Sequence, residues 1–250
     1  MEEQPVPAPT MSLGNLITNT FSSPSEAFEG LRTSPPRAST WVLPLILLIV
    51  FASLMSYFMF TNETLRSQFM DSQSQRLQQR VQSGQMTQEQ ADQALQQTEQ
   101  MGGMMIAFGI IGSVITISIF FFGAALIFWL VGKLALKAPA GYGKYLELWG
   151  TSEWIGILGA IITLLMILGM GSMYASPSAA LAILSNFNPS DTTHRLLGSL
   201  NIFSIWQAIV LGIGLSKYAE KPVGTGIGIA LGLWVIWVLL TTFALGSFVA

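Results

Sequence analysis

The sequence predicts an all-α, polytopic membrane protein: a bundle of five transmembrane helices, with an amphipathic N-terminal helix before it and an external helical hairpin beside it. Three observations point there. Of 250 residues, 51% are hydrophobic and only 10% charged, whereas soluble domains carry about a quarter charged residues. The few charges are also segregated: the stretches 41–60, 103–132, 154–174, 196–216 and 224–250 contain no Asp, Glu, Lys or Arg. One charge at the bilayer centre costs about 2.5–3.5 kcal/mol on insertion scales, so lipid imposes this segregation. Finally, each stretch has 20 residues or more, and a helix of about 20 residues crosses the roughly 30 Å hydrocarbon core. Backbone polar groups in lipid must pair within their own segment, which selects helices.

The same inventory excludes much chemistry. Cysteine is absent and His194 is the single histidine, so disulfides, thiolate sites and multi-histidine metal sites are ruled out. The net charge of −2 argues against nucleic acid as a partner. No cofactor is expected, and the lipid bilayer is the expected environment.

Residues 1–12 open with Pro5, Pro7 and Pro9 and read as a disordered tail. The membrane domain then runs over 13–250. Leu13, Leu16, Ile17 and Phe21 recur at helical spacing. Ser23-Pro24-Ser25-Glu26 reads as a second helix start, with Ser23 capping, Pro24 in the first turn and Glu26 completing a capping box. Ala27, Phe28 and Leu31 give that helix an apolar stripe, which either lies in the headgroup plane or packs on the span ends; periodicity does not distinguish them. Phe21 and Phe28 are placed at the headgroup level. No cleavable signal precedes the first span, which reads as an uncleaved anchor.

The first loop, 61–102, is glutamine-rich. Leu65, Phe69, Leu77 and Val81 form one apolar stripe. Ser83-Gly84 breaks it, and Thr87 with Gln90 forms a capping box opening a second helix with Ala91, Ala94 and Leu95 on its face. This is the external hairpin, either a covering element or a partner-binding surface. Trp41, at the start of the first span, and Tyr142, Tyr145 and Trp149, among Lys133, Lys137 and Lys144 of the second loop, are expected as interfacial anchors. Lys and Arg number seven on the side of the N-terminus and four on the side of the hairpin. The N-terminus is therefore expected in the cytoplasm and the C-terminus outside.

No catalytic constellation emerges. His194 lies beside Asp191 and Arg195, without a nucleophile motif. Gly226-Ile227-Gly228 follows no strand, so a dinucleotide reading fails. No ionisable residue falls inside the five stretches, where Asn201 and Gln207 are the only amides. These either line a polar route, as in a channel or permease component, or bond neighbouring helices. Small residues recur four apart: Gly224, Gly228 and Gly232 in the last span, and Ala208, Gly212 and Ser216 in the fourth. Such rows let another backbone approach, within one chain or between two. Phe203 and Trp206 would shape the packing face of the fourth span.

Three features resemble the Yip-one domain family, multispanning proteins named for interaction with Ypt/Rab GTPases. They are the segment Phe21-Ser22-Ser23-Pro24-Ser25-Glu26-Ala27-Phe28-Glu29-Gly30-Leu31 followed by Pro35, the run Asn201-Ile202-Phe203-Ser204-Ile205-Trp206 leading to Gly212-Ile213-Gly214-Leu215, and the five-span layout. The glutamine-rich hairpin, with its Ser83-Gly84-Gln85-Met86-Thr87 turn, is similar to bacterial members. The resemblance implies the multispanning topology and no catalytic residue. The glycine-stepped last span, the amphipathic entry helix and the lack of reactive groups point to a non-enzymatic cytoplasmic (inner) membrane protein that acts by helix packing, self-association or binding another membrane protein, organising the membrane.

Overall fold

The computed structural model describes residues 11–244. Among these the chain is helical, without a strand. The helices are α1 (Leu13–Ser22), α2 (Pro24–Thr33), α3 (Ser39–Thr61), α4 (Glu63–Gln82), α5 (Gln88–Met101), α6 (Met104–Leu134), α7 (Tyr142–Met170), α8 (Thr192–Ser199), α9 (Ile202–Ala219) and α10 (Val223–Leu239). A 3-10 segment, Ala179–Asn186, precedes α8, and a π turn, Leu240–Ala244, follows α10. Five helices are long and apolar enough to cross a bilayer: α3, α6, α7, α9 and α10 with its π turn. The all-α, five-span architecture is as expected.

Several boundaries differ. Most of the expected tail lies outside the described residues, but Met11 and Ser12 are already folded: the Met11 carbonyl accepts from Arg37 Nη1 at 2.8 Å, and the Ser12 side chain caps α1. Ser23 does not cap with its side chain. Its N–H closes α1 on the Asn19 carbonyl, and its carbonyl accepts from Glu26 N, so the turn between two abutting helices uses its backbone instead.

The third apolar stretch is only the distal part of a helix that starts twelve residues earlier, at Tyr142. Nothing between Gly143 and Trp154 breaks a helix; no proline occurs there. Lys144, Glu147 and Glu153 therefore lie within a candidate span, correcting the expectation of charge-free spans. The fourth stretch is interrupted. Asp191 caps α8 by accepting from Thr193 N and His194 N, and α8 ends at Leu200, so α9 begins only at Ile202. The last stretch is helical to Leu239 and turns through Leu240–Ala244; residues 245–250 lie outside the described residues.

The described chain divides into two compact units. The first comprises residues 11–47, 118–159 and 202–238. Its core gathers Leu16, Ala27, Phe28, Tyr145, Leu148 and Leu215. The stripe of α2 thus packs on protein, against α9, rather than lying in a headgroup plane. Outside that core, Glu29 and Arg32 of α2 pair with each other, and Arg32 reaches Glu220 at 2.8 Å. The Arg32 hydrogen bond holds the Glu29 carboxyl below its ordinary value.

The second unit comprises residues 48–117, 160–201 and 239–244. Here α4 and α5 form the expected hairpin. Gly84 takes φ +73° to end α4, and the Thr87–Gln90 capping box is present in full. The hairpin is tied down by Gln68, whose amide donates to the Gly171 carbonyl at 2.7 Å and accepts from Met173 N at 3.0 Å. A small core of Leu65, Ile167 and Ala175 lies beside it. Large apolar side chains along α3, α6 and α10 stand exposed, among them Val50, Ile115, Ile119, Leu126 and Ile236. Apolar faces this extensive belong in lipid.

Candidate functional site

In the first unit, α7 and α9 run antiparallel and meet along one seam of small residues. A Cβ added to Gly159 would lie 2.8 Å from the Phe203 side chain, and one on Gly214 would collide with Leu148 and come within 2.8 Å of Phe28. Tyr145 and Tyr218 close the far end edge to face, with ring centroids 5.7 Å apart. Gly132 of α6 supplies the hollow for the Tyr145 hydroxyl, where any side chain would clash. Each helix needs glycine where the other needs bulk, so neither row is interpretable alone.

Two polar groups are built into this packing. Near the start of α7, Glu147 is fully buried and pairs with Lys144 Nζ at 2.7 Å. Lys144 also donates to the carbonyls of Leu31 and Ser34, each at 2.6 Å. The other Glu147 oxygen accepts from Arg37 N at 2.6 Å and Thr40 Oγ1 at 3.3 Å. Every charge here has partners, which is the condition for burying an ion pair without a large desolvation penalty. The result is a clip that holds the connection between α2 and α3 onto α7. Beside it, Pro44 leaves the Thr40 carbonyl without its usual helical donor. There α7 abuts α3: a Cβ on Gly150 would lie 3.0 Å from that carbonyl and 2.5 Å from Trp41.

Further along the seam, Glu153 is 8% exposed. The Gln207 amide donates to Ser152 Oγ at 3.5 Å, and its side chain stands beside the Glu153 carboxyl. A Cβ on Gly156 would lie 2.5 Å from Glu153 Oε2 and 3.5 Å from Gln207 Oε1, so both oxygens overhang that bare glycine. Gln207, expected as an intramembrane amide, thus faces a carboxyl that charge counting had assigned to a loop. Asn201 is elsewhere: it stands before α9, in a bridge with Ser178 within the second unit.

The other predicted residues separate into inner and outer sets. On α9, Ala208, Gly212 and Ser216 are buried, and α10 lies against them through Gly226. A Cβ on Gly226 would strike the Gly212 carbonyl and Ser216, and one on Gly212 would strike the Ile227 backbone. Ser216 Oγ accepts from Gly226 N at 2.9 Å. The row Gly224, Gly228 and Gly232 does not make this contact. All three are exposed, with nothing within 4 Å of where a Cβ would stand. A helix turns about 100° per residue, so a two-residue offset moves a row to nearly the opposite face.

Phe28 and Tyr145, expected at the headgroup level, are wholly buried, because α2 packs on α9 and α7 starts before Tyr145. Phe21 is half-buried against Trp206, with centroids 5.8 Å apart. Trp41 lies edge-on to Phe122 at 5.8 Å, and Trp149 beside Phe128 at 5.8 Å. Tyr142 is half-buried and donates from its hydroxyl to the Phe122 carbonyl at 2.9 Å. Among the described residues no three His, Asp or Glu side chains come together to hold a metal ion.

Five long apolar helices, with polar side chains paired inside their packing and oily ones outside, define a multi-pass integral membrane protein. The Yip1 domain family model matches residues 18–245, nearly the whole chain, and the chain belongs to that family. No curated protein and no solved structure matches it.

Proposed function

We propose that this protein is a non-enzymatic membrane organiser that binds a second copy of itself or another membrane protein through the outer face of α10. The observation that carries the reading is the bare row Gly224, Gly228 and Gly232, exposed while the chain uses Gly226 for its own packing. Glycines four apart on a lipid-facing helix let a partner backbone approach closely enough for dispersion contacts. The surrounding residues of this face, Val235, Ile236 and Leu239, are exposed and apolar. The hairpin-type resemblance and the distribution of Lys and Arg support a bacterial cytoplasmic membrane, with the N-terminus inside and the C-terminus outside.

The test is assembly in native membranes. Gly228→Leu and Gly232→Leu fill the groove without touching the chain's own packing. Each should reduce the size of the complex extracted in mild detergent while the monomer melts as before. An unchanged complex in both variants contradicts the reading.

A second reading, a channel or permease component for a small solute, takes its support from Gln207 beside buried Glu153. Solute flux into proteoliposomes that is abolished by Gln207→Leu would favour it over the first.

A further inference from the structure

We propose that Glu153 and Gln207 form a proton-binding site inside the membrane-spanning part of α7 and α9. The site goes beyond both readings above and does not depend on α10 associating with anything.

Position makes the first part of the case. Gln207 is the sixth residue of α9 (Ile202–Ala219), about 8 Å from one end and about 18 Å from the other at 1.5 Å per residue. Glu153 is level with it across the seam, since Gly159 meets Phe203 on one side and Leu148 meets Gly214 on the other. Glu153 therefore lies within the helical length of both candidate spans, at the head of the apolar part of α7, and is 8% exposed.

Charge makes the second. An ionised carboxylate buried away from water needs a cation or several hydrogen-bond donors; lacking them it binds a proton instead. Among the described residues no ion pair reaches Glu153. On its own helix, Lys144 and Glu147 lie nine and six residues earlier and are joined to each other. On α9 the only cation is Lys217, ten residues beyond Gln207, which faces Glu29 at 3.9 Å. Helices α1, α3 and α10 carry no charged residue, α2 carries exposed Glu26 and the Glu29–Arg32 pair, and α6 carries only Lys133, which sits over the Trp129 ring. The group that stands beside Glu153 from the facing helix is the neutral Gln207 amide.

Hydrogen-bond complementarity makes the third. A carboxylate only accepts; a carboxylic acid also donates one O–H. Gln207 offers both kinds of group: its amide N–H donates to Ser152 Oγ at 3.5 Å, and its Oε1 stands with Glu153 Oε2 over bare Gly156. Only the protonated acid has a donor for that second oxygen. A proton thus completes the acid–amide pair, while its removal leaves two acceptor oxygens overhanging one glycine.

The experiment uses the full chain in native membranes and dicyclohexylcarbodiimide, a lipid-soluble reagent specific for protonated carboxyls. The acid proton moves to a carbodiimide nitrogen, and the carboxyl oxygen bonds the central carbon. Mass spectrometry of the peptide should place an adduct on residue 153. Labelling should fall as pH is raised, be unaffected by Na⁺ or K⁺ at fixed pH, and vanish in Glu153→Gln. Gln207→Leu should retain the adduct and move the pH at which labelling is lost. Infrared spectroscopy gives a reading independent of reagent access: the carbonyl band of a protonated acid should be present in the native protein and absent in Glu153→Gln. Protection by Na⁺ or K⁺ overturns the proposal in favour of a metal-cation site. Labelling indifferent to pH also overturns it, as does absence of both adduct and infrared band.

Discussion

Helix α10 carries two rows of small residues, and among the described residues only one row touches the other helices. Gly226 abuts Gly212 and Ser216 so closely that no side chain fits, and Ala230 on the same face is buried. Gly224, Gly228 and Gly232 have the more regular spacing and meet none of the other described residues. Small-residue spacing therefore reports that a backbone can be approached, but not what approaches it. The same contrast between inner and outer placement runs through the polar groups. Glu147 is buried and shared among three donors, whereas Glu29 sits in a surface network.

That contrast can be sharpened or broken by paired substitutions. The largest effect is expected for Glu147→Ala, which leaves Lys144 buried without its counter-charge and should cost about 3–5 kcal/mol. Glu29→Ala, at a half-exposed ion pair, should cost no more than about 1 kcal/mol. Thermal melting in detergent measures both; equal losses would erase the distinction. Next, Gly226→Leu drives a side chain into the backbone of α9 and should cost about 1–3 kcal/mol or more. Gly228→Leu should leave monomer melting within about 0.5 kcal/mol.

Smaller effects separate caps that form from caps that only read well. Thr87→Ala removes a complete capping box and should destabilise the hairpin by about 1 kcal/mol. Ser23→Ala should be nearly neutral, because that side chain makes no cap bond. Amide hydrogen exchange at the starts of α5 and α2 would distinguish the two. The smallest effect concerns Asp191. Backbone N–H bonds, first from His194 and then from Thr193, hold its carboxyl below the ordinary value of 3.8. A carboxyl lowered on folding contributes stability above its unfolded value and loses it as pH falls through the folded one. Protection of the Thr193 and His194 amides, taken relative to their intrinsic exchange rates, should therefore fall in acid, and Asp191→Asn should flatten that dependence.

Much of the fold was legible in the sequence, because lipid demands a composition that no soluble helix tolerates. The first span, for example, was placed within two residues of its helix, α3. What escaped notice was decided by contacts rather than composition. Counting charges ends the third span at Glu153, yet α7 continues to Tyr142, with Lys144 paired to Glu147 and Glu153 set beside the Gln207 amide. The break at Leu200 and Asn201 lies within an uncharged run, where only the Asp191 cap and the Ser178 bridge reveal it. The Glu153–Gln207 pair did leave a trace. Ser152, Gly156 and Gly159 share the face on which Glu153 turns back over the helix, and that periodicity continues upstream to Leu148 and Tyr145.

The absence of native cysteine makes the central claim directly measurable. Single cysteines at Gly228 and at Ala230 place one thiol on each face of α10, and oxidative cross-linking in native membranes reads out which face meets another chain. The outer-face account predicts a disulfide-linked product, to a second copy or to another membrane protein carrying a cysteine at that depth, from Gly228→Cys and none from Ala230→Cys. Cross-linking from Ala230→Cys alone, or from neither position, would contradict it.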